Sequence, residues 1–456
     1  MPKPLNLMAV VHASSSELMH GLWRHEACQS ARFNELEFWV ETAQRLEAGL
    51  FDGMFFADSP GLHGEYRGSH ETHVLAGVQY PKNDPMVLLS GIAHGTTRLG
   101  LAVTGSIIQD HPFMLARRMS TLDHATHGRV AWNIVTGANL NAARNLGYEE
   151  LPPHDERYRW ADEYVDVAYK LWEGSLDDGA LVQDRDRGIY CDPSKVHKIN
   201  HVGERYRVEG PHLVAPSPQR TPVLFQAGTS KAGRAFAARH AECVFMISIT
   251  KERARREIAE IRRLAVANGR RADDLKFFEG LTFVVGSTER EAREREEELV
   301  SKLSIEGMLC HFGGTFGIDL GGYRLGDPVD VIHTEVAQTI VNIAREVSKN
   351  ATPTVADIAN IGRATTVVGT PEQIADELED WQRAGVDGIN FTYHTLPGSH
   401  EDFIEHVMPV LQARGLARSE PAEGTFRQNL FGTSRLNDRH PAAQYRGAFT
   451  AAPYKV

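Results

Sequence analysis

Cysteine is scarce in this chain: 456 residues hold four, Cys28, Cys191, Cys243 and Cys310, too scattered for paired zinc ligands or a disulfide framework. They are read as reduced thiols with packing roles. Long apolar runs are missing too. No stretch reaches the roughly 18 continuous apolar residues that a membrane span needs. The segment from Met1 to Val11 lacks the basic leader and long apolar core of a secretory signal. A cytoplasmic protein without a membrane partner is the expectation. No run of lysine and arginine interleaved with aromatics occurs, and the formal net charge is −11, so nucleic acid is not an expected partner.

Several chemical signatures are absent as well. Neither a GxGxxG fingerprint nor a Walker loop occurs, which argues against a nicotinamide-binding domain in this chain. The 21 histidines invite a metal, yet His20 with His25, or His124 with His127, fit no HExxH or CxxC arrangement. No metal site is expected, and a metal-dependent barrel hydrolase is disfavoured for want of ligands. The GxSxG elbow is missing and no cysteine sits in a nucleophile context, so serine and cysteine hydrolysis are unsupported.

What is present is a balanced globular composition, 42% apolar and 24% charged, in a chain long enough to bury a large core. Short β-branched or aromatic runs alternate with longer amphipathic segments, the pattern of a parallel sheet wrapped by helices. The runs are Leu5 to Val11, Gly49 to Asp58, Leu99 to Ile107, Arg129 to Gly137, Pro222 to Gly228, Cys243 to Ile249, Phe277 to Gly286 and Gly388 to His394. Most are apolar throughout, as strands covered on both faces are. Helical spacing marks Phe33 to Ala48, Arg157 to Trp172, Lys251 to Asn268 and Pro371 to Ala384. Thr370 ahead of Pro371, Glu372 and Gln373 predicts a capped helix start. Eight such strands favour a closed (β/α)8 barrel, although an open doubly wound sheet gives a similar local pattern.

Two connections exceed a simple crossover: about 138–220 and 287–386. Extra length after a barrel strand is expected at the catalytic mouth, so both are candidate lids on a barrel spanning 1–414. Residues 415–456 have little periodicity and are expected on the surface or against a neighbouring subunit. Polar residues at strand ends are the candidate ligand contacts: His12, Asp58, Thr104, Asn133 and Thr136. The segment Gln226-Ala227-Gly228-Thr229-Ser230-Lys231-Ala232-Gly233 passes from strand to helix with the small, hydroxylated character of a phosphate cradle, or of an ordinary turn.

A set of strings, in order, carries a resemblance. They include Gly21-Leu22-Trp23-Arg24-His25, Phe55-Phe56-Ala57-Asp58, Gly128-Arg129-Val130-Ala131-Trp132-Asn133-Ile134-Val135-Thr136 and Ala143-Arg144-Asn145-Leu146-Gly147. The His154 to Tyr158 region, Gln226-Ala227-Gly228 with Ser230, and Gly369-Thr370-Pro371-Glu372-Gln373 continue it. The sequence resembles the luciferase-like branch that contains nitrilotriacetate, EDTA and dibenzothiophene-sulfone monooxygenases. That resemblance implies a TIM barrel binding FMN at its carboxyl face. It also implies a separate NAD(P)H:flavin reductase that supplies reduced FMN, O2 as co-substrate, and a homodimer or homotetramer. Carried over by position, the FMN contacts are Asp58, Thr104, His154, Tyr158 and Ser230. Thr104 and Asn133 are expected to face the ring and polarise the reacting oxygen.

His12, Trp23 and His311 are candidate substrate contacts. Phe312 and Phe316 with Gly313, Gly314 and Gly317 read as a mobile apolar flap, which suggests an organosulfur or N-heterocyclic substrate rather than a polyanionic chelate. The rival readings are a deazaflavin-dependent oxidoreductase of the same superfamily and a non-catalytic flavin-binding protein.

Overall fold

The computed structural model describes residues 3–137, 139–228, 230–332, 337–348 and 350–449. Thr229 of the strand-to-helix segment, and the end of the carboxyl extension from 450 on, lie outside them. All eight expected strands form: β1 (Asn6–His12), β2 (Gly53–Ala57), β3 (Gly100–Ser106), β4 (Val130–Val135), β5 (Val223–Gln226), β6 (Cys243–Met246), β7 (Lys276–Val285) and β8 (Gly388–Phe391). Every barrel pairing is parallel. β1 lies between β8 and β2, with Met8 opposite both Asn390 and Gly53. The ring closes where β6 meets β7, Cys243 opposite Lys276. An open sheet is thereby excluded. A further short strand, Thr366–Gly369, pairs with the far end of β7 and was not legible as a run.

Each strand returns through a helix: α1 (Leu36–Ala48), α2 (Pro85–Gly95), α3 (Pro112–Ala125), α4 (His154–Tyr169), α5 (Lys231–His240), α6 (Lys251–Ala267), α7 (Pro371–Arg383) and α8 (Met408–Ala413). The start of α7 follows the local chemistry. Thr370 accepts from the Gln373 amide, the Gln373 side chain returns the bond to Thr370, and Pro371 occupies the first turn.

Two cores result. One lies between the sheet and the helices, where Trp132 packs edge-on against Trp172. The other fills the barrel with Met8, Phe55, Ala102, Ala131, Phe225 and Phe278. Its lower end is stoppered by the short helix Phe426–Phe431, whose Phe426 and Leu430 join the interior cluster. Gly100 admits that plug, because a Cβ there would lie 2.4 Å from the Phe426 ring. The carboxyl extension therefore closes its own barrel.

The two long connections behave differently. Only the beginning of 138–220 reaches the mouth, contrary to the expectation of a lid. α4 runs back down the barrel wall, so the remainder of that connection starts at the opposite end. There Arg220 binds the Asp178 carboxylate and Gln219 binds Asp123. The antiparallel pairs Leu181–Asp184 with Ile189–Cys191, and His201–Val202 with Arg207–Val208, belong to this lower segment. The second connection does sit over the mouth. Its helices Ile305–Phe316 and Ala337–Val347 and the turns of Val355–Arg363 build a small core of their own, Met308, Leu309, Phe312, Ile340 and Ile358, against Met19, Leu22 and Tyr66.

Candidate functional site

A cavity of about 300 Å³ opens at the carboxyl ends of β2 to β5, roofed by helix Ile305–Phe316. It is lined by Asp58, Ser59, Pro60 and His63 after β2, Ser106 on β3, Val135 and Thr136 at β4, Tyr158 on α4, Gln226 to Gly228 after β5, and Gly314 and Thr315 from the roof. No arginine is among the lining residues described.

One end of the cavity is the turn from β5 into α5. Ser230 caps α5, its Oγ accepting from the Gly233 amide at 3.0 Å. The amides of Lys231 and Ala232 have no partner within a first helical turn and carry the positive end of the helix dipole. His154 Nε2 lies 3.2 Å from Ser230 Oγ. The Tyr158 hydroxyl approaches Ser230, Gln226 and Thr136, and burial raises its pKa, so it stays a neutral donor. Glycine is required where this turn folds on itself. A Cβ on Gly228 would meet Gln226 Nε2 at 2.3 Å, Tyr158 Oη at 2.6 Å and the Gly233 Cα at 2.8 Å.

Asp58 follows β2 at the cavity edge. Burial pushes its carboxyl up to about 6, against the opposing pull of the Lys82 ammonium and the Ser59 amide. Lys82 is itself held by the carbonyls of Ser59 at 2.6 Å and Gly61 at 3.0 Å. Because the unfolded carboxyl titrates near 3.8, the folded protein is penalised for an ionised Asp58 above about pH 6 and not below about pH 4. Asp58→Asn is therefore expected to stabilise the ligand-free protein by about 2 kcal/mol at alkaline pH, with the gain vanishing in acid. Thermal unfolding across pH measures this, and a gain independent of pH would contradict the assignment.

Thr104 and Asn133 sit one layer below the cavity. Alternation along β3 puts Ala102, Thr104 and Ser106 on the inner face, and Thr104 is in register with Asn133 on β4. The Thr104 hydroxyl donates to the Phe56 carbonyl at 2.8 Å and accepts from Asn133 Nδ2 at 3.0 Å. Asn133 Oδ1 and Gln226 Oε1 are buried acceptors with no partner among the described residues.

The substrate candidates fare differently. His12 is buried behind the cavity wall and bonded to Ser14 Oγ at 3.1 Å. His311 is buried on the roof helix, bonded to His20 Nε2 at 3.0 Å. Trp23 is 42% exposed and lines a separate outer groove with Arg24, Leu75 and Glu306, so it does not reach the mouth. The apolar flap is a packed helix. Gly313 and Gly314 serve close approach rather than motion, since a Cβ on Gly314 would meet the Gly64 amide nitrogen at 2.3 Å. Gly317 terminates that helix with φ +69°, a left-handed cap.

Sequence reading missed His63 and Gln79. They belong to irregular loops after β2, where no periodicity points to them; only the rule that such loops line a barrel mouth could have drawn attention there. Among the described residues, no group of three or more His, Cys, Asp or Glu side chains could hold a metal ion, and the four cysteines are free. No described helix is long and apolar enough to cross a membrane.

Comparison with known proteins adds the family context. Residues 18–388 match the family described as luciferase-like monooxygenase. A long-chain alkane monooxygenase of Geobacillus thermodenitrificans (strain NG80-2) is 45% identical over 449 residues, covering 98% of this chain and 99% of that protein. A dimethyl-sulfide monooxygenase of Hyphomicrobium sulfonivorans is 42% identical over 456 residues, covering 98% and 95%. The crystal structure of DmoA from that organism superposes with a TM-score of 0.94 at 41% identity, over 100% of this chain and 99% of the other. The crystal structure of riboflavin lyase with modified FMN and riboflavin has a TM-score of 0.89 at 36% identity, over 97% and 100%.

Proposed function

Because the chain belongs to the luciferase-like monooxygenase family and is a flavin-dependent monooxygenase, we propose that it is the oxygenase of a two-component system. A separate NAD(P)H:flavin reductase delivers reduced FMN, and the oxygenase uses it with O2 on a small organic substrate, an organosulfur or N-heterocyclic compound. The four free cysteines suit the reducing cytoplasm in which such a reductase works. The exposed apolar side chains Trp23, Val74 and Leu75 support a homodimer or homotetramer, since apolar surface left to solvent favours association.

The observation that carries the flavin reading is the β5–α5 turn. Ser230, Tyr158 and His154 meet at a helix amino terminus, and Gly228 leaves room that any side chain would fill. These residues fit the phosphate and ribityl part of FMN, with Asp58 and Thr104 toward the polar edge of the ring. The buried acceptor Gln226 Oε1, at the cavity wall, suits a donor on such a ligand. When bound, the flavin supplies the oxygen-activating chemistry; the chain binds it, orients it and excludes water. Thr104 and Asn133 form a fixed polar pair below the cavity: the Thr104 proton is committed to the Phe56 carbonyl, and the Asn133 amide donates to Thr104 while its Oδ1 stays unpaired among the described residues.

The direct test is oxygen uptake and product formation with a generic flavin reductase, NADH and FMN over sulfones, sulfides, aminocarboxylates and N-heterocycles. Absence of any FMN binding at millimolar concentration would end the proposal. Asn133→Ala is expected to leave FMN affinity unchanged while lowering product per O2 consumed by about 10-fold and releasing the difference as hydrogen peroxide. Unchanged coupling would remove Asn133 from the chemistry.

A further inference from the structure

One imidazole lines the cavity, and a chain of buried imidazoles stands behind it. His63 lines the cavity, and its ring lies 4.4 Å, centroid to centroid, from that of His311. Burial keeps these rings neutral: His63 is pushed down to about 4 by burial and the Lys82 ammonium against the Gln79 hydrogen bond, and His311 is lowered by burial and by neighbouring histidines.

The hydrogen bonds fix which nitrogen of each ring carries the proton. Gln79 Nε2 donates to the Glu17 carbonyl at 2.7 Å, so its Oε1 faces His63 and accepts from Nε2–H at 2.8 Å. His63 Nδ1 is consequently a lone pair. Ser16 Oγ donates to the Gly77 carbonyl at 2.6 Å and so accepts from His20 Nδ1–H at 2.9 Å. His20 Nε2 must then accept from His311 Nδ1–H, which leaves His311 Nε2 as a lone pair. The same logic holds for His12. Ser14 Oγ donates to the Ser16 carbonyl and accepts from His12 Nδ1–H, leaving His12 Nε2 bare. No described residue donates to any of the three bare nitrogens, and of the three rings only His63 lines the cavity, so it brings an acceptor without a donor to the wall. Metal binding is not the explanation, because no group of three such side chains among the described residues could hold an ion.

We propose that His63, through Nδ1, is the substrate-recognition group of the cavity wall and selects a neutral molecule bearing an N–H or O–H donor. The inference rests on the flavin reading above and narrows its substrate class to donor-bearing heterocycles and hydroxylated or N–H compounds. A charged ligand is poorly matched. A cation would sit beside Lys82, and an anion would find lone pairs rather than donors. The subsite should keep its preference from alkaline pH down to about 4, where His63 takes up a proton; the charged and titratable groups around it are Lys82, Asp58, His12, His20, His73 and His311.

The test uses FMN-loaded oxidised protein and a matched pair of probes, indole and 1-methylindole, with affinity read by calorimetry or flavin fluorescence. Indole is expected to bind roughly 10-fold tighter, since only it can donate to a buried acceptor. His63→Phe should abolish the preference, and His63→Gln, which restores an acceptor, should recover part of it. Equal affinity of the two probes for the wild-type protein, or no binding of indole, overturns the subsite while leaving the flavin reading intact. Failure of FMN itself to bind overturns that reading first. A preference that survives His63→Phe overturns the role of His63. The wild-type comparison decides even if the phenylalanine variant does not fold.

Discussion

Replacing Gly228 by alanine is expected to weaken FMN binding by about 100-fold, or about 3 kcal/mol, in a fluorescence titration. The new methyl group would occupy the space between Tyr158 Oη and the Gly233 Cα, 2.6 and 2.8 Å from its ideal position. Gln226 and Tyr158 can swing aside, but only out of the positions from which they would meet the ligand. Gly233 is backbone and cannot yield without tilting the start of α5, where the free amides point. The cost to folding should be smaller, about 1–2 kcal/mol, because part of the strain is relieved by side-chain motion. Separating the two readouts is essential. A variant that unfolds says nothing of the cradle, whereas one with native circular dichroism and near wild-type FMN affinity would show that the phosphate lies elsewhere.

The second large effect is expected far from the mouth. Arg427 is 1% exposed and binds Glu242 through both Nε and Nη2, at 2.8 and 2.9 Å, with further bonds to the carbonyls of Thr221 and Gln219. Glu242 also accepts from the Leu224 amide at the start of the barrel. Arg427→Ala would leave that carboxylate buried without its counterion and would loosen the Phe426 plug beside it. The expected loss is about 3–5 kcal/mol in urea unfolding. Pairing the change with Glu242→Gln should recover much of it, since a neutral amide oxygen still accepts from Leu224 and no charge is stranded. A single-variant loss below about 1 kcal/mol would mean that the plug is held by apolar packing alone.

The two effects are independent in principle. The plug lies at the amino ends of the strands and the proposed flavin cradle at their carboxyl ends, so the Arg427 variants should alter stability without altering FMN affinity in the fraction that remains folded. That division between a stability end and a chemical end is the general property of this barrel architecture.

Much of the framework was legible in the residues. Strands buried on both faces must be apolar nearly throughout, and helices that cover them must alternate, so the eight runs and the capped start of α7 could be located from local pattern alone. Ser230 was legible for a related reason: a small hydroxylated residue at a strand-to-helix turn is a local feature, and its capping bond to Gly233 spans three residues. Local patterns could not say where the chain goes after α4. The direction of a helix along the barrel wall, rather than the length of a segment, decides which end of the barrel the following residues reach, and this placed most of 138–220 away from the mouth.

The sequence by itself determined the order of strands and helices, the small, hydroxylated character of the β5–α5 turn and the absence of a metal or nicotinamide motif, because each depends on neighbours within a few positions. Tertiary structure alone decided that Phe426 stoppers the barrel, that Trp23 faces outward, that Gly314 serves contact rather than motion, and that His63, Gln79, His20 and His311 come together. Those residues are separated by up to 291 positions along the chain. The protonated nitrogens of these rings are set by hydrogen bonds that exist only once the barrel has closed and its roof has packed.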